Sequence, residues 1–494
     1  MTITQEALQT TPPVTQSLAE FIVGTDAADT TATARGTAAR AFADTLGCAL
    51  AGSRHPVGIR VGRTARRLAP TVPDGAYPFD GLGRLPVGEA VLINGTLGHA
   101  IDFDDTNHPM YGHPSCHLVP TAVAIGESRD LTGRDLVTAY LIGHETEVAL
   151  ARALNMAHYL QGFHATGTLG TFGAAATAAR LLGLDVDATR NALGVAASAS
   201  AGLRANVGTM TKPLHAGMAA MHGVLAATLA GQGWQAAPDA LEQPHLGYAA
   251  SHMHGEQPRY ADALESLGRS WAIDTPIGQQ VKPFPACGAT HPSIEAATIL
   301  RDRLGERVRG ISEVSVGVPP LLIEILVYDE PTDGNQARFS LTYTVAAALL
   351  RGWLGPADFT PERVLDPAVR SLMRRVRYQT DPAVADSTEF AAIVRVRLDD
   401  GTELSERVDL ALGKNGRPMS EAQLLDKFVA CAGNGVPDRA TDTVALWRTW
   451  RDVDSDIPAR DLVAALRAWW DRRPDAHPAD PDAGDTDPRE AAAR

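Results

Sequence analysis

Apolar residues return at helical spacing from Leu18 onward. Phe21, Ile22, Ala34, Ala38, Phe42 and Leu46 fall in stretches otherwise rich in small residues, the 3.6-residue signature of amphipathic helices. The same texture runs to about residue 270, broken by Gly, Pro and Asp-Gly steps. It predicts a helix opening at Pro120 and running to Glu127, another from about Gly133, one ending at Gly183 and one ending near Gly231. Glycine at such ends supplies the left-handed cap residue.

After Trp271 the period changes. Val314, Val316 and Val318 alternate within ISEVSVGVP, and AAIVRVRLDDGTELSERVDL alternates on both sides of a DDG turn, which predicts a hairpin. Helical stretches lie between them, near Ser293–Leu304 and Ser340–Leu350, so this segment reads as an α+β unit. Helical spacing resumes in SEAQLLDKFVACAG and DLVAALRAWWDRR. The expected fold is therefore mainly α: an all-helical domain over 17–277, an α+β lid over 278–414, and helices over 415–472 that complete the first domain. Residues 1–16, with Pro12 and Pro13, read as a flexible arm. The Pro/Asp-rich 473–494 reads as a disordered tail.

Composition narrows the function. The 494 residues are 45% hydrophobic, enough for a large core. The balance of 44 basic against 58 acidic residues, net −14, speaks against a nucleic-acid partner but not against a locally cationic pocket for a small anion. Cys48, Cys116, Cys287 and Cys431 are far apart and form no CxxC pair, so no disulfide framework or zinc ribbon is expected. The first residues lack a basic stretch followed by an apolar one, and no uninterrupted apolar run spans a membrane. A cytoplasmic, membrane-free protein is the expectation.

The densest chemistry is HAIDFDDTNHPMYGHPSCHLVP, with Asp102, Asp104, Asp105, Thr106, His108, His113 and His117. Acids beside imidazoles suit proton transfer near neutral pH. A polar loop that caps helices is the plainer alternative, and a metal site is another, although the spacing matches no standard zinc motif. Asp-Phe-Asp-Asp also fits the acid motif of a terpene cyclase, but 5% aromatic content supplies few faces for carbocations. Three further segments carry candidates. His164 precedes a Gly-rich helix start that favours a carboxylate. Lys212 stands with Thr209 and Thr211 at the entrance of a small-residue helix. Lys282, Cys287 and His291 lie around two prolines. Cys287 with His291 admits a thiolate–imidazole reading, and equally a small packing residue.

In series, H-A-I-D-F-D-D-T with H-P-S, G-x-H before G-T-x-G-x-x-x-A-A, T-K-P-L-H-A-G, K-P-F-P-A-C-x-x-T-H and Y-D-E-P-T-D-G-N-Q-A-R-F-S-L-x-Y resemble the MmgE/PrpD family. That resemblance implies a helical domain with a smaller α+β lid, a homodimer and no required metal or organic cofactor. It implies a small polycarboxylate substrate and proton transfer at carbon next to a carboxylate, with loss of water or carbon dioxide. Epimerisation of an imino- or aminodicarboxylate uses the same carbanion. By resemblance His113 is the acid/base, Asp102 and Thr106 orient it or the substrate, and Tyr328 comes from the lid. His164, Lys212 and Lys282 are the donors, with Cys287 and His291 beside them. Cys287 stands where the vertebrate decarboxylase of the family has a histidine, and the loop from His108 to His113 is one residue longer. From another class, a noncatalytic helical interaction protein remains an alternative.

Overall fold

The computed structural model describes residues 13–275, 277–433 and 440–473. The fold is mainly α, with one four-stranded sheet and a two-residue ladder among the described residues. The helix expected from Gly133 runs Gly133–Leu154, and Thr132 caps it with a reciprocal Asp135 bond. The Ala165–Leu182 helix ends on Gly183 at φ 69°, and the next long helix ends at Gly231.

Three boundaries differ from expectation. The helix assigned to open at Pro120 begins at Ser115 and contains that proline. The Ser115 hydroxyl and amide both bond Asp105, which anchors the first turn. The arm ends earlier than residue 16, because Val14–Gly24 is helical with Val14 and Leu18 buried. Its first twelve residues, and 474–494 of the tail, lie outside the described residues, whereas Arg473 is buried against Trp469.

One hydrophobic core gathers residues between Val14 and Ile273 together with Phe428, Trp450, Trp469 and Trp470 from the C-terminal helices. The Trp470 indole donates to Phe79 O at 3.0 Å, tying the last helix to the first third of the chain. Small residues set how closely these helices meet. A Cβ on Gly95 would lie 2.8 Å from Gly217 Cα, so the Val87–His99 and Thr211–Gly231 helices touch backbone to backbone. The Thr211–Gly231 helix is long and apolar enough to cross a membrane. Here it packs in the core, and its first turn carries Lys212 and His215 into the interior.

A second core, Phe284 to Val408, belongs to the α+β segment. Its sheet order is Val376–Thr380, Ile311–Val318, Ala392–Leu398, Glu403–Val408. The first pair is parallel, with Val314 opposite Val376, and the others are antiparallel. The expected hairpin is present at Ala392–Val408. Its alternating burial puts Val394 and Val396 inward and Arg395 and Arg397 outward. The two cores meet along the segments Asp102–Asn107 and Gln279–Cys287. There Thr106 pairs with Gln280 and Asn107 with Gln279.

Candidate active site

A cavity of about 250 Å³ lies where the cap meets the helical body, just below the ~300–1,000 Å³ usual for small-molecule sites. Asp102, His113, His164, Lys212, Lys282, Cys287 and Tyr328 all line it. They come from the turn after the Val87–His99 helix, the starts of three other helices, and the cap. Local structure explains several placements. Asp102 has φ 53°, in the left-handed region, which asparagine and aspartate tolerate better than most residues. His164 stands at the N-cap of Ala165–Leu182, and Lys212 is in the first turn of its helix.

The centre is a buried charge chain. Lys212 Nζ donates to Asp102 Oδ1 at 2.8 Å and to His99 Nε2 at 2.6 Å. Lys282 Nζ lies 3.1 Å from the other Asp102 oxygen and donates to the Asp102 carbonyl at 2.8 Å. His99 Nδ1 sits 2.9 Å from both Asp104 oxygens. A carboxylate only accepts, so Nδ1–H donates and Nε2 is the lone pair that receives the lysine. His113 fits between the two acids, its Nδ1 3.3 Å from Asp104 and its Nε2 3.6 Å from Asp102.

Electrostatics separate three neighbouring acids. Burial alone would raise Asp102, but Lys212 and Lys282 hold it well below the usual carboxylate range. Asp104 is likewise held low, against its burial, by His99 and His113. Asp105 faces Ser115 and Gln279 rather than a cation, and burial raises it to about 7. Desolvation keeps the imidazoles neutral: His99 falls to about 3 and His215 to about 4, while His113 and His164 are also lowered. Burial also raises Cys287, so it faces the cavity as a neutral thiol rather than a thiolate.

Two predicted residues lie elsewhere. Thr106 is held in the two-residue ladder and lines a neighbouring pocket that also touches His113 and Cys287. His291 opens its own helix, donates Nε2–H to Ala286 O at 3.0 Å, and packs edge-on to Phe284. This is the role of a helix-start residue, not of a partner for Cys287. Conversely, the reading of the sequence did not single out His99, His215, Arg204 or Arg338. His215 was detectable: it lies one helical turn after Lys212, on the same face, and its Nδ1 meets His164 Nδ1 at 3.0 Å. Arg338 is buried and donates to Ile101 O, bracing the turn that presents Asp102. Arg204 sits in a short 3-10 segment with no local signal.

The metal alternative acquires a geometric form here. Ligand atoms of His99, Asp102, Asp104 and His113 lie within 4.8 Å of one another. However, Lys212 occupies the free lone pair of His99 and one oxygen of Asp102, and Lys282 takes the other. An ammonium among the donors repels a cation, so this set fits a metal poorly.

A cavity between the helical body and the α+β segment, lined by lysines, a carboxylate and neutral imidazoles, has the charge and donors to hold a small anion. The chain belongs to the MmgE/PrpD family: residues 16–261 match its N-terminal domain and residues 284–451 its C-terminal domain. The latter match runs across the Glu421–Ala432 helix, whose Phe428 packs in the first core. The chain is 33% identical to cis-aconitate decarboxylase of Mus musculus over 363 residues, 71% of this chain and 72% of that protein. It is 26% identical to cis-aconitate decarboxylase of Aspergillus terreus, covering 79% and 83%. It is also 26% identical to 2-methylcitrate dehydratase of Escherichia coli K12, covering 80% and 85%. The protein is thus an enzyme of the family's lyase type, and the noncatalytic alternative is set aside.

Proposed function

We propose that this protein is a cofactor-independent dehydratase or decarboxylase. Its substrate would be a small di- or tricarboxylate of the 2-methylcitrate or cis-aconitate type. The observation that carries this reading is the convergence of Lys212 and Lys282 on one carboxylate beside His113, inside a single cavity. Two buried ammonium groups sharing one internal counter-ion have donor capacity left for an arriving carboxylate.

Removing a proton from carbon next to a carboxylate makes a dianionic enediolate. Lys212 and Lys282 stand where that charge develops. His113 takes the proton on its neutral imidazole, and Asp104 stabilises the imidazolium. In dehydration, the carbanion electron pair forms the double bond as hydroxide leaves the neighbouring carbon and gains a proton to depart as water. In decarboxylation, the C–C bond breaks to release carbon dioxide, and the electron pair left on carbon takes a proton from a donor lining the cavity, the Lys212 ammonium or the Cys287 thiol. Tyr328, whose hydroxyl donates to Val207 O at 2.9 Å, covers the cavity from the cap side.

The purified protein is expected to turn over at least one member of a di- and tricarboxylate panel, before and after treatment with chelator. No turnover and no binding across the panel would sink the proposal. Epimerisation of an imino- or aminodicarboxylate is a second reading, favoured by Cys287 facing the same cavity as His113, so that two proton-bearing groups meet the substrate. In proton NMR in deuterated water, inversion with solvent exchange and no loss of mass selects it. The proposal extends to a homodimer in the cytoplasm, tested by light scattering and by fractionation. It also extends to a division of the chain at 277/278 and 414/415, tested by limited proteolysis.

A further inference from the structure

The cavity contains a cation that the charge chain does not use. Arg204 lines it from the 3-10 segment Arg204–Asn206, eight positions before Lys212. Its guanidinium carbon lies 3.8 Å from the centroid of the Tyr159 ring, and Nη1 donates to Tyr159 O at 3.1 Å. Its backbone N–H is fixed to Gly162 O at 2.8 Å. The group is therefore held over an aromatic wall, itself packed on Tyr111 at 5.2 Å. Among the described residues Arg204 has no ion pair, whereas Lys212 and Lys282 share Asp102 and Arg338 is committed to Ile101 O. Glu324 also lines the cavity, exposed and without an ion pair to Arg204.

We infer that Arg204 is a carboxylate clamp that sets substrate specificity, binding a second carboxylate of the substrate away from the one held by Lys212 and Lys282. The inference rests on the polycarboxylate reading above and narrows it: substrates need at least two carboxylates, and a monocarboxylate with the same reacting end is a poor ligand. A guanidinium stacked on a ring keeps a pair of parallel N–H donors free, which suits the two oxygens of a carboxylate. Stacking also lowers the entropy lost when it binds. Glu324, which lines the same cavity, weakens the attraction and acts as a counterweight.

The test is calorimetric binding of tricarballylate, an unreactive tricarboxylate, and of butyrate, with kinetics on whichever polycarboxylate turns over. Arg204→Met is expected to weaken tricarballylate binding by about 10–100-fold, the worth of a charge-assisted bond, with little change for butyrate. KM should rise by a similar factor and kcat should fall less. Arg204→Lys should lie between, since it keeps the charge and loses the fork. Glu324→Gln should tighten tricarballylate binding. Equal tricarballylate affinity in wild type and Arg204→Met, or an equal loss for butyrate, overturns the clamp while leaving the lyase reading intact. Wild-type protein that binds no polycarboxylate overturns both. Unchanged circular dichroism in Arg204→Met keeps a folding defect from passing as a lost contact.

Discussion

Two histidines four residues apart meet two quite different fates. His113 lies between Asp102 and Asp104 and opens onto the cavity. His117, in the first turn of the Ser115–Arg129 helix, pairs with Glu147 at 2.6 Å in a seam where both side chains are fully buried. Glycines form the walls of that seam. A Cβ on Gly170 would lie 2.6 Å from the His117 ring, and one on Gly173 would press on the Glu147 carboxylate. Both regions join an imidazole to an acid, but only one leaves space for a third molecule. A His–carboxylate pair performs chemistry where a cavity reaches it; where packing seals it, its effect is on stability.

Substitutions should separate the two regions. The largest effect is expected from His113→Gln, a fall in kcat of roughly 10²–10⁴-fold, with a melting temperature close to wild type. A preserved kcat would remove His113 from the mechanism. Next, His117→Ala should leave Glu147 buried without a partner and cost about 3–5 kcal/mol in urea unfolding. The kcat of the remaining folded protein should be unchanged; a selective loss of kcat would erase the distinction drawn here. Gly173→Ala should act on the same seam more mildly, by about 1–3 kcal/mol of overpacking.

The smallest effects concern pH, and they set the acids of one tetrapeptide against each other. His113 is lowered by desolvation, so its neutral form persists below its ordinary range. The acid limb of kcat/KM should therefore have its midpoint below about 6.5; a midpoint above that value would contradict the assignment. Asp105 is raised by burial to about 7. A raised acid favours the folded state less as it ionises, so its contribution falls as pH climbs from ~3.9, its unfolded value, toward 7. Asp105→Asn should flatten that part of the stability profile, as measured by thermal unfolding. Asp102 and Asp104 run the other way. They are depressed, so their stabilisation is present above the unfolded value and is lost only as pH falls through their low folded values.

Much of this was visible along the chain. Gly183 marks a helix end because a residue without Cβ takes the left-handed cap without strain, whereas Gly231 is the last residue of its helix and the left-handed turn falls on Gly233 at φ 84°. The Ala392–Val408 hairpin followed from period-two alternation around Asp-Gly. Asp102, His113, His164, Lys212 and Lys282 were selected by residue type and motif, and they share one cavity. The start at Ser115 was not visible. Proline usually opens helices, whereas here the Ser115–Asp105 bonds and a buried face carry the helix through Pro120. Thr106 and His291 sat in equally suggestive motifs but face a ladder and a backbone carbonyl. Arg204 had no motif at all, and only its stacking on Tyr159 singles it out.

The sequence by itself determined the helical body, the α+β cap and the chemical types available to the site. These depend on periodicity, caps and turns, which act over a few residues. The tertiary structure alone decided which of those groups became partners. Lys212 and Asp102 are 110 positions apart and Lys282 and Asp102 are 180, and their meeting depends on how helices with glycine contacts close against a separate cap. Water is excluded only where that closure is complete, and exclusion of water is what gives the charges their shifted protonation and their reach.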